Sequence, residues 1–154
     1  RTTQGLYVGG TPSGWSPTAP GNVIRSWIPA GFTLPWGVGY TGNVWLSDPP
    51  APSGDPCGFV GQCRNAEFDV LGAATGRNWP ASWVSSWNAD MAYDAGRNLM
   101  CQVNVGGDNG IYCWNLDTGA VVDSITGSYP WTGISQRGLA YRPDDDTFYI
   151  GGLY

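Results

Sequence analysis

Paired carboxylates are the first feature of this 154-residue chain that could do chemistry. Its only glutamate, Glu67, lies two residues before Asp69 in the sequence AEFDVL. On a β-strand the two side chains would share one face, about 7 Å apart, and glycoside hydrolysis uses two carboxylates that flank the scissile bond. We expect this pair to be solvated positions on an outer strand instead.

The residue types that most catalytic centres require are missing from the sequence. It has no histidine, and all seven basic residues are arginines. A Ser-His-Asp or Cys-His centre and a lysine Schiff base are therefore excluded for this chain alone. The sequences VGGTPSG and VGGDNG lack the Lys-Ser/Thr of a phosphate-binding loop. We predict no catalytic residues and no cofactor.

Three consecutive aspartates near the carboxyl end could supply hard oxygen ligands to calcium. They are Asp144, Asp145 and Asp146. The EF-hand spacing of acidic residues and glycine is absent, and aspartate is also a natural turn residue. We predict that this cluster is a turn between two strands, with calcium binding as the weaker alternative.

Four cysteines fall into two local pairs, Cys57 with Cys63 and Cys101 with Cys113. Free buried thiols and a zinc site are the alternatives, but CxxC spacing is absent and zinc would need all four sulfurs together. In a hairpin with its tip at residues 106 to 108, Cys101 and Cys113 face each other. Two disulfides are predicted, and they indicate an oxidising, extracellular or cell-surface location.

The first cysteine pair lies in the longest insertion, DPPAPSGDPCGFVGQC, at residues 48 to 63. A disulfide there would hold the second half of the loop rigid. Rigid loops on a sheet scaffold commonly carry binding surfaces, so this insertion is the first place where we expect function.

The overall charge limits the partners of the chain. Its net charge is −5 and its pI is about 4.3, so it is a poor binder of nucleic acid. It contains no signal peptide and no run of about 18 apolar residues, which favours a mature or trimmed protein that does not insert into membranes.

Composition and periodicity predict an all-β fold for the elements that position these residues. Glycine (24 residues), proline (12) and aromatics (14%) are poor for helices, and no segment shows sustained helical spacing. The stretch from Asp90 to Ile125 contains four strand-length runs, separated by Ala-Gly, Gly-Gly-Asp-Asn-Gly and Asp-Thr-Gly. It predicts a four-stranded antiparallel meander.

Similar runs recur along the chain at an uneven interval. First strands end at Tyr40, Tyr93 and Tyr141, and second strands are LYVGG (6 to 10), VWLSD (44 to 48), LMCQV (99 to 103) and FYIGG (148 to 152). Third strands are NVIRSW (22 to 27), AEFDVL (66 to 71) and IYCWNL (111 to 116), with glycine turns at Gly31, Gly76 and Gly119. One domain, 1–154, is predicted, with approximate repeats at 5–35, 36–84, 85–128 and 129–154.

The segments GLAYRPDDDTFYIGG, DMAYDAGRNLMCQV and YCWNLDTGAVVDSI resemble blades of secreted bacterial β-propellers of the YVTN, NHL or Kelch-like kind. The resemblance implies an array of about three four-stranded antiparallel blades, whereas propellers typically close with about four to eight. A partial propeller, or a protomer completed by another chain, is therefore expected. A β-sandwich is the alternative fold.

Eight of the nine tryptophans fall into two groups. Five are expected to be structural, between blades or on strands: Trp36, Trp87, Trp131, Trp45 and Trp114. Three others, Trp15, Trp79 and Trp83, lie in Pro- and Ser-containing connections. Exposed aromatics there could stack on sugars or anchor a protein partner.

These features predict a non-catalytic extracellular module that serves as a structural or protein-interaction unit. Open blade edges would also permit self-association, because unpaired strand edges invite pairing with another chain. A carbohydrate-binding, lectin-like propeller is one alternative, and a fragment of a larger secreted propeller enzyme is another.

Overall fold

A computed structural model of the chain describes residues 6–9, 23–32, 35–48, 64–80, 87–105, 108–127 and 135–153. These ranges contain β-strands and turns and no helix, so the all-β prediction is confirmed. Over the same ranges, no helix is long and apolar enough to cross a membrane.

Twelve strands form in the described parts of the chain. In order they are β1 (Leu6–Gly9), β2 (Val23–Trp27), β3 (Val38–Tyr40), β4 (Val44–Asp48), β5 (Arg64–Phe68), β6 (Ala74–Pro80), β7 (Trp87–Asp94), β8 (Leu99–Val105), β9 (Ile111–Asn115), β10 (Val121–Ile125), β11 (Ser135–Arg142) and β12 (Thr147–Leu153).

The strands pair in chain order into four antiparallel sheets. Sheet I is β1-β2, sheet II is β3-β4-β5-β6, sheet III is β7-β8-β9-β10 and sheet IV is β11-β12. The predicted meander is sheet III, although its first strand already begins at Trp87. Each predicted repeat contains one sheet.

A one-residue difference separates the predicted and observed alignment of the second strands. The first-strand tyrosines pair with Val44, Met100 and Phe148. Met100, not Leu99, is therefore the counterpart of Val44 and Phe148, and the predicted match of LMCQV to VWLSD is wrong by one residue. Such a shift reverses the face of the sheet on which every side chain lies.

The turn between the third and fourth strands of sheet II also differs from the prediction. β5 ends at Phe68, and Asp69 turns the chain because its Oδ1 accepts the backbone N–H groups of Leu71 and Ala73, at 2.8 and 2.9 Å. Gly72 supplies the left-handed residue of this turn, with φ of 91°. The predicted turn residue, Gly76, lies inside β6.

The sheets pack face to face in chain order. Trp45 of sheet II joins Met91, Met100 and Trp114 of sheet III in one apolar cluster. The opposite face of sheet III packs on sheet IV, where Leu139 shares a buried cluster. Trp27, the last residue of sheet I, and Phe32, which follows that sheet, cover the other face of sheet II around Phe68.

A disulfide joins the two central strands of sheet III. Cys101 and Cys113 are directly opposed in the register, with their Cα atoms 4.0 Å apart and their sulfurs 2.05 Å apart. This predicted pairing is confirmed. The second predicted pair, Cys57 and Cys63, lies outside the described residues.

Candidate functional site

A polar cleft of about 470 Å³ opens between sheets II and III. We call it the II–III cleft, and its polar lining is Thr41, Asn43, Glu67, Arg77, Tyr93, Asn98 and Asp117. The turn before β4 forms one wall, whereas the 48–63 insertion follows the other end of β4. The predicted functional loop therefore starts at the opposite end of the strand, and its residues 49–63 lie outside the described ranges.

The floor of the cleft is an ion pair between Glu67 and Arg77, which the sequence analysis did not predict. The Glu67 side chain is only 4% exposed, and its Oε1 lies 3.1 Å from Arg77 Nη1. Thr75 Oγ1 donates to Glu67 Oε2 at 2.7 Å, and the guanidinium lies 5.3 Å from the centroid of the Trp45 ring. Glu67 is thus buried and fully bonded, as a buried charge must be. The expectation of a solvated Glu67 and Asp69 sharing a strand face is wrong.

Hydrogen bonds continue from this ion pair to the mouth of the cleft. Arg77 Nη2 donates to the carbonyl of Leu116 and lies 3.3 Å from Asp117 Oδ1. Asn98 Nδ2 donates to Asp117 Oδ2 at 2.8 Å, and Tyr93 Oη donates to Asn98 Oδ1 at 3.3 Å. Side chains of both sheets are therefore held in fixed positions along the cleft.

The opposite wall is the tight turn from Thr41 to Asn43, closed by a 3.0 Å hydrogen bond from Thr41 N to Asn43 O. Gly42 has φ of 102°, and a Cβ there would meet no atom within 4 Å. The side chain of Asn43 is half-buried and makes no hydrogen bond to the rest of the described chain. This wall therefore has open space beside Gly42 and an Asn43 side-chain amide that is available for hydrogen bonds to a ligand.

Trp79 belongs to the sheet interface and not to a loop. It lies on β6, where its Nε1 donates to the carbonyl of Leu116 at 3.1 Å. A Cβ at Gly119 would come within 2.6 Å of its ring, so the ring packs directly on that glycine. The prediction that Trp79 lies in a connection is wrong. Trp15 and Trp83, the other predicted ligand-binding tryptophans, lie outside the described ranges.

The predicted structural tryptophans have mixed outcomes. Trp45 and Trp114 are fully buried on β4 and β9, which confirms their placement on strands. Trp36 precedes β3 and is 38% exposed, whereas Trp87 is the first residue of β7. Trp131 lies outside the described residues.

The three aspartates lie in or beside the turn from β11 to β12, as predicted. Asp144 and Asp145 extend toward the guanidinium of Arg142, with nitrogen–oxygen distances of 3.8 and 3.6 Å. Within the described ranges, no group of three or more His, Cys, Asp or Glu side chains is arranged to hold a metal ion.

The third aspartate, Asp146, helps to connect sheets III and IV. Its Oδ1 accepts a 2.7 Å hydrogen bond from Tyr141 Oη and pairs with Arg97, which also pairs with Asp94. The Tyr141 hydrogen bond and the Arg97 charge lower the pKa of Asp146 from its ordinary value. Carboxylates at this turn therefore serve contacts within and between the sheets.

Asp90 is a structurally important residue that the sequence did not reveal. Its Oδ1 accepts the backbone N–H of Val38 at 2.9 Å, and its Oδ2 accepts that of Leu139 at 3.3 Å. Burial raises the pKa of Asp90 because desolvation disfavours the charged form. One carboxylate thus connects the first strands of sheets II, III and IV. No local sequence signal marks such a role.

No protein-family model matches this chain, and no curated protein matches it. The geometry of the cleft therefore indicates which kind of ligand it could bind. The II–III cleft offers fixed hydrogen-bond donors and acceptors on one wall and the Asn43 amide on the other, above an ion pair whose two charges neutralise each other. Such an arrangement suits recognition of a polar ligand.

Proposed function

We propose that this chain is a non-catalytic, extracellular β-propeller-type module that acts by binding another protein chain through the outer face of sheet IV. The resemblance to propeller blades supports the fold, as does the face-to-face packing of sheets in chain order. The disulfide between Cys101 and Cys113 supports an oxidising location.

The observation that carries the proposal is the exposure of Tyr149. Three second-strand residues occupy equivalent positions in the register: Trp45 opposite Gly39, Cys101 opposite Ala92, and Tyr149 opposite Ala140. Trp45 is 0% exposed and Cys101 is 2% exposed, because each faces the next sheet along the chain, whereas Tyr149 is 53% exposed. A partner sheet on this face would bury Tyr149 in the same way.

A second copy of the chain is the partner that we propose. Met91 and Tyr93, on the first strand of sheet III, belong to the cluster that covers Trp45. Their counterparts on sheet II, Val38 and Tyr40, are 42% and 63% exposed. Trp27 and Phe32 cover this face only around Phe68. One chain therefore presents exposed residues on the outer faces of both sheet II and sheet IV, which favours a head-to-tail contact between copies.

Buried carboxylates support a structural role over a catalytic one. Glu67 pairs with Arg77, and Asp90 accepts backbone N–H groups from two neighbouring sheets. Asp94 Oδ1 accepts the backbone N–H groups of Gly96 and Arg97 in the turn after β7. Each of these three carboxylates is engaged in hydrogen bonds that stabilise a turn or a contact between strands.

Size-exclusion chromatography with light scattering, over a range of protein concentrations, tests the proposal. We expect the wild-type chain to associate as concentration rises and Tyr149→Glu to remain monomeric, because a charged carboxylate would have to lose its water in the contact. Val122→Glu is the matched control, since Val122 is 55% exposed on the outermost strand of sheet III. A monomeric wild type at every concentration, or equal association of both variants, would overturn the proposal.

A further inference from the structure

We propose that the II–III cleft is a binding subsite for an uncharged, polyhydroxylated ligand, namely a sugar residue of a glycan. This inference goes beyond the protein-binding function proposed above, because it uses a different surface. The outer face of sheet IV is formed by β11 and β12, whereas the cleft lies between sheets II and III.

The dimensions of the cleft suit a small ligand. Its volume of about 470 Å³ lies within the roughly 300–1,000 Å³ that is common for ligand pockets. Its walls come from turns and strand ends of two packed sheets, so it does not depend on the long 48–63 insertion. A sugar could therefore enter without rearrangement of the strands.

Polar groups along one wall are held in place before any ligand arrives. Asp117 is fixed between Arg77 at 3.3 Å and Asn98 at 2.8 Å, and Asn98 is fixed in turn by Tyr93 at 3.3 Å. Fixed side chains lose little conformational entropy when they bind a ligand. This wall is therefore preorganised.

Asp117 and Asn98 can each form further hydrogen bonds, and these suit the hydroxyl groups of a sugar. A sugar hydroxyl donates one hydrogen bond and accepts others, so it needs acceptors and donors next to each other. The Asp117 carboxylate has further lone pairs, and the Asn98 amide has a second N–H. An adjacent carboxylate and amide can thus bind two neighbouring hydroxyls.

The opposite wall adds the side-chain amide of Asn43. The Asn43 side chain is half-buried and makes no hydrogen bond within the described chain, and a partly desolvated amide in this state is unfavourable. A ligand hydroxyl would complete its bonding. Gly42 beside it leaves the space over this wall open, because no atom lies within 4 Å of the place that a Cβ would occupy.

Charge in the cleft argues against an anionic ligand. The guanidinium of Arg77 is already engaged by Glu67, the Leu116 carbonyl and Asp117. Two carboxylates and one guanidinium leave a net negative charge, which repels phosphate, sulfate and acidic sugars. Asp117, whose side chain is 73% exposed, could attract a cationic peptide, and the experiment includes that outcome.

The test uses the full chain on an array of neutral and acidic oligosaccharides, with a lysine-rich peptide as an added probe. The strongest neutral oligosaccharide is then titrated by calorimetry into the wild type, Asn43→Ala and Asp117→Asn. Asp123→Asn is the matched control, because Asp123 is exposed on β10, and thermal unfolding verifies that each variant is folded.

We expect binding to neutral oligosaccharides, weakened at least about tenfold by each cleft variant, because Asn43→Ala removes a hydrogen-bonding amide and Asp117→Asn replaces a charged acceptor by a neutral one. Asp123→Asn should match the wild type. Tyr149→Glu should retain sugar binding while it abolishes association, which separates this inference from the proposed function. Lack of neutral-sugar binding, binding only to acidic sugars or the peptide, or binding unchanged in both cleft variants would each overturn it.

Discussion

The backbone N–H of Val38 donates a 2.9 Å hydrogen bond to the side chain of Asp90, although the two residues are 52 positions apart. The other oxygen of the same carboxylate accepts the N–H of Leu139 from the sheet on the far side. β7 packs between β3 and β11, so this side chain lies where three first strands meet. The contacts between sheets therefore include a directional polar link as well as apolar packing.

Loss of this link should destabilise the fold. We expect Asp90→Ala to lower the free energy of unfolding by about 1–3 kcal/mol, because two backbone N–H groups lose their acceptor. Urea unfolding followed by tryptophan fluorescence measures the change. Asp123→Ala, at an exposed position of β10, should leave stability nearly unchanged. Equal midpoints for Asp90→Ala and the wild type would contradict the bridging role.

The raised pKa of Asp90 gives its contribution to stability a definite pH dependence. Between 3.8, its ordinary pKa, and the higher value in the folded state, the folded protein holds more protons than the unfolded one. The contribution of Asp90 is therefore fully present below 3.8 and decreases as the pH rises through the folded-state pKa. Asp90→Asn lacks this ionisation.

The measurement is the difference in unfolding free energy between the wild type and Asp90→Asn across acidic pH. Other carboxylates are common to both proteins and cancel in the difference. We expect the stability of the wild type relative to the variant to fall as the pH rises above 3.8. A relative stability that rises with pH would show that the hydrogen bonds from backbone N–H groups lower the pKa of Asp90 more than desolvation raises it.

The disulfide of sheet III should contribute substantially to stability. Cys101 and Cys113 are 12 residues apart, and we expect the double variant Cys101→Ala/Cys113→Ala to lose about 2–4 kcal/mol. Chemical unfolding of both proteins without reductant provides the comparison. Because the substitution leaves Cys57 and Cys63 in place, an effect of the other predicted pair is excluded. Unchanged stability would mean that the cross-link does not constrain the unfolded chain.

A tight contact between a glycine and a tryptophan can be tested with a matched pair of substitutions. Gly119→Ala would place a Cβ 2.6 Å from the Trp79 ring, whereas Gly76→Ala would meet no atom within 4 Å. Both glycines have positive φ, 70° and 93°, so both variants have backbone strain. We expect Gly119→Ala to lose about 1–3 kcal/mol more than Gly76→Ala, because overpacking adds to strain.

Thermal or urea unfolding of the two glycine variants provides that comparison. The total tryptophan fluorescence is an additional readout, because displacement of the Trp79 ring exposes it to water and should shift the emission. Equal losses for the two variants would mean that the ring moves aside without cost, and that the contact does not hold sheets II and III together.

The sequence by itself determined the features that depend on near neighbours. Alternating strand-length runs separated by glycine and aspartate turns predicted sheet III, and the opposition of Cys101 and Cys113 followed from the centre of one hairpin. Hairpins are local, so their pairing can be derived from turn position alone. The all-β class could likewise be predicted from local sequence, because strand-length runs and turn residues are local features.

The tertiary structure decided every feature that joins one sheet to the next. Glu67 looked solvated because its partner Arg77 lies on the next strand of the same sheet and is held in place by a carbonyl that follows β9 of sheet III. Trp79 looked like a loop residue because its acceptor, the Leu116 carbonyl, is 37 positions away. The predicted alignment of LMCQV with the other second strands was wrong by one residue, because sequence similarity alone does not fix the register of strand pairing. Contacts between sheets depend on which face a side chain occupies, and a shift of one residue reverses that face.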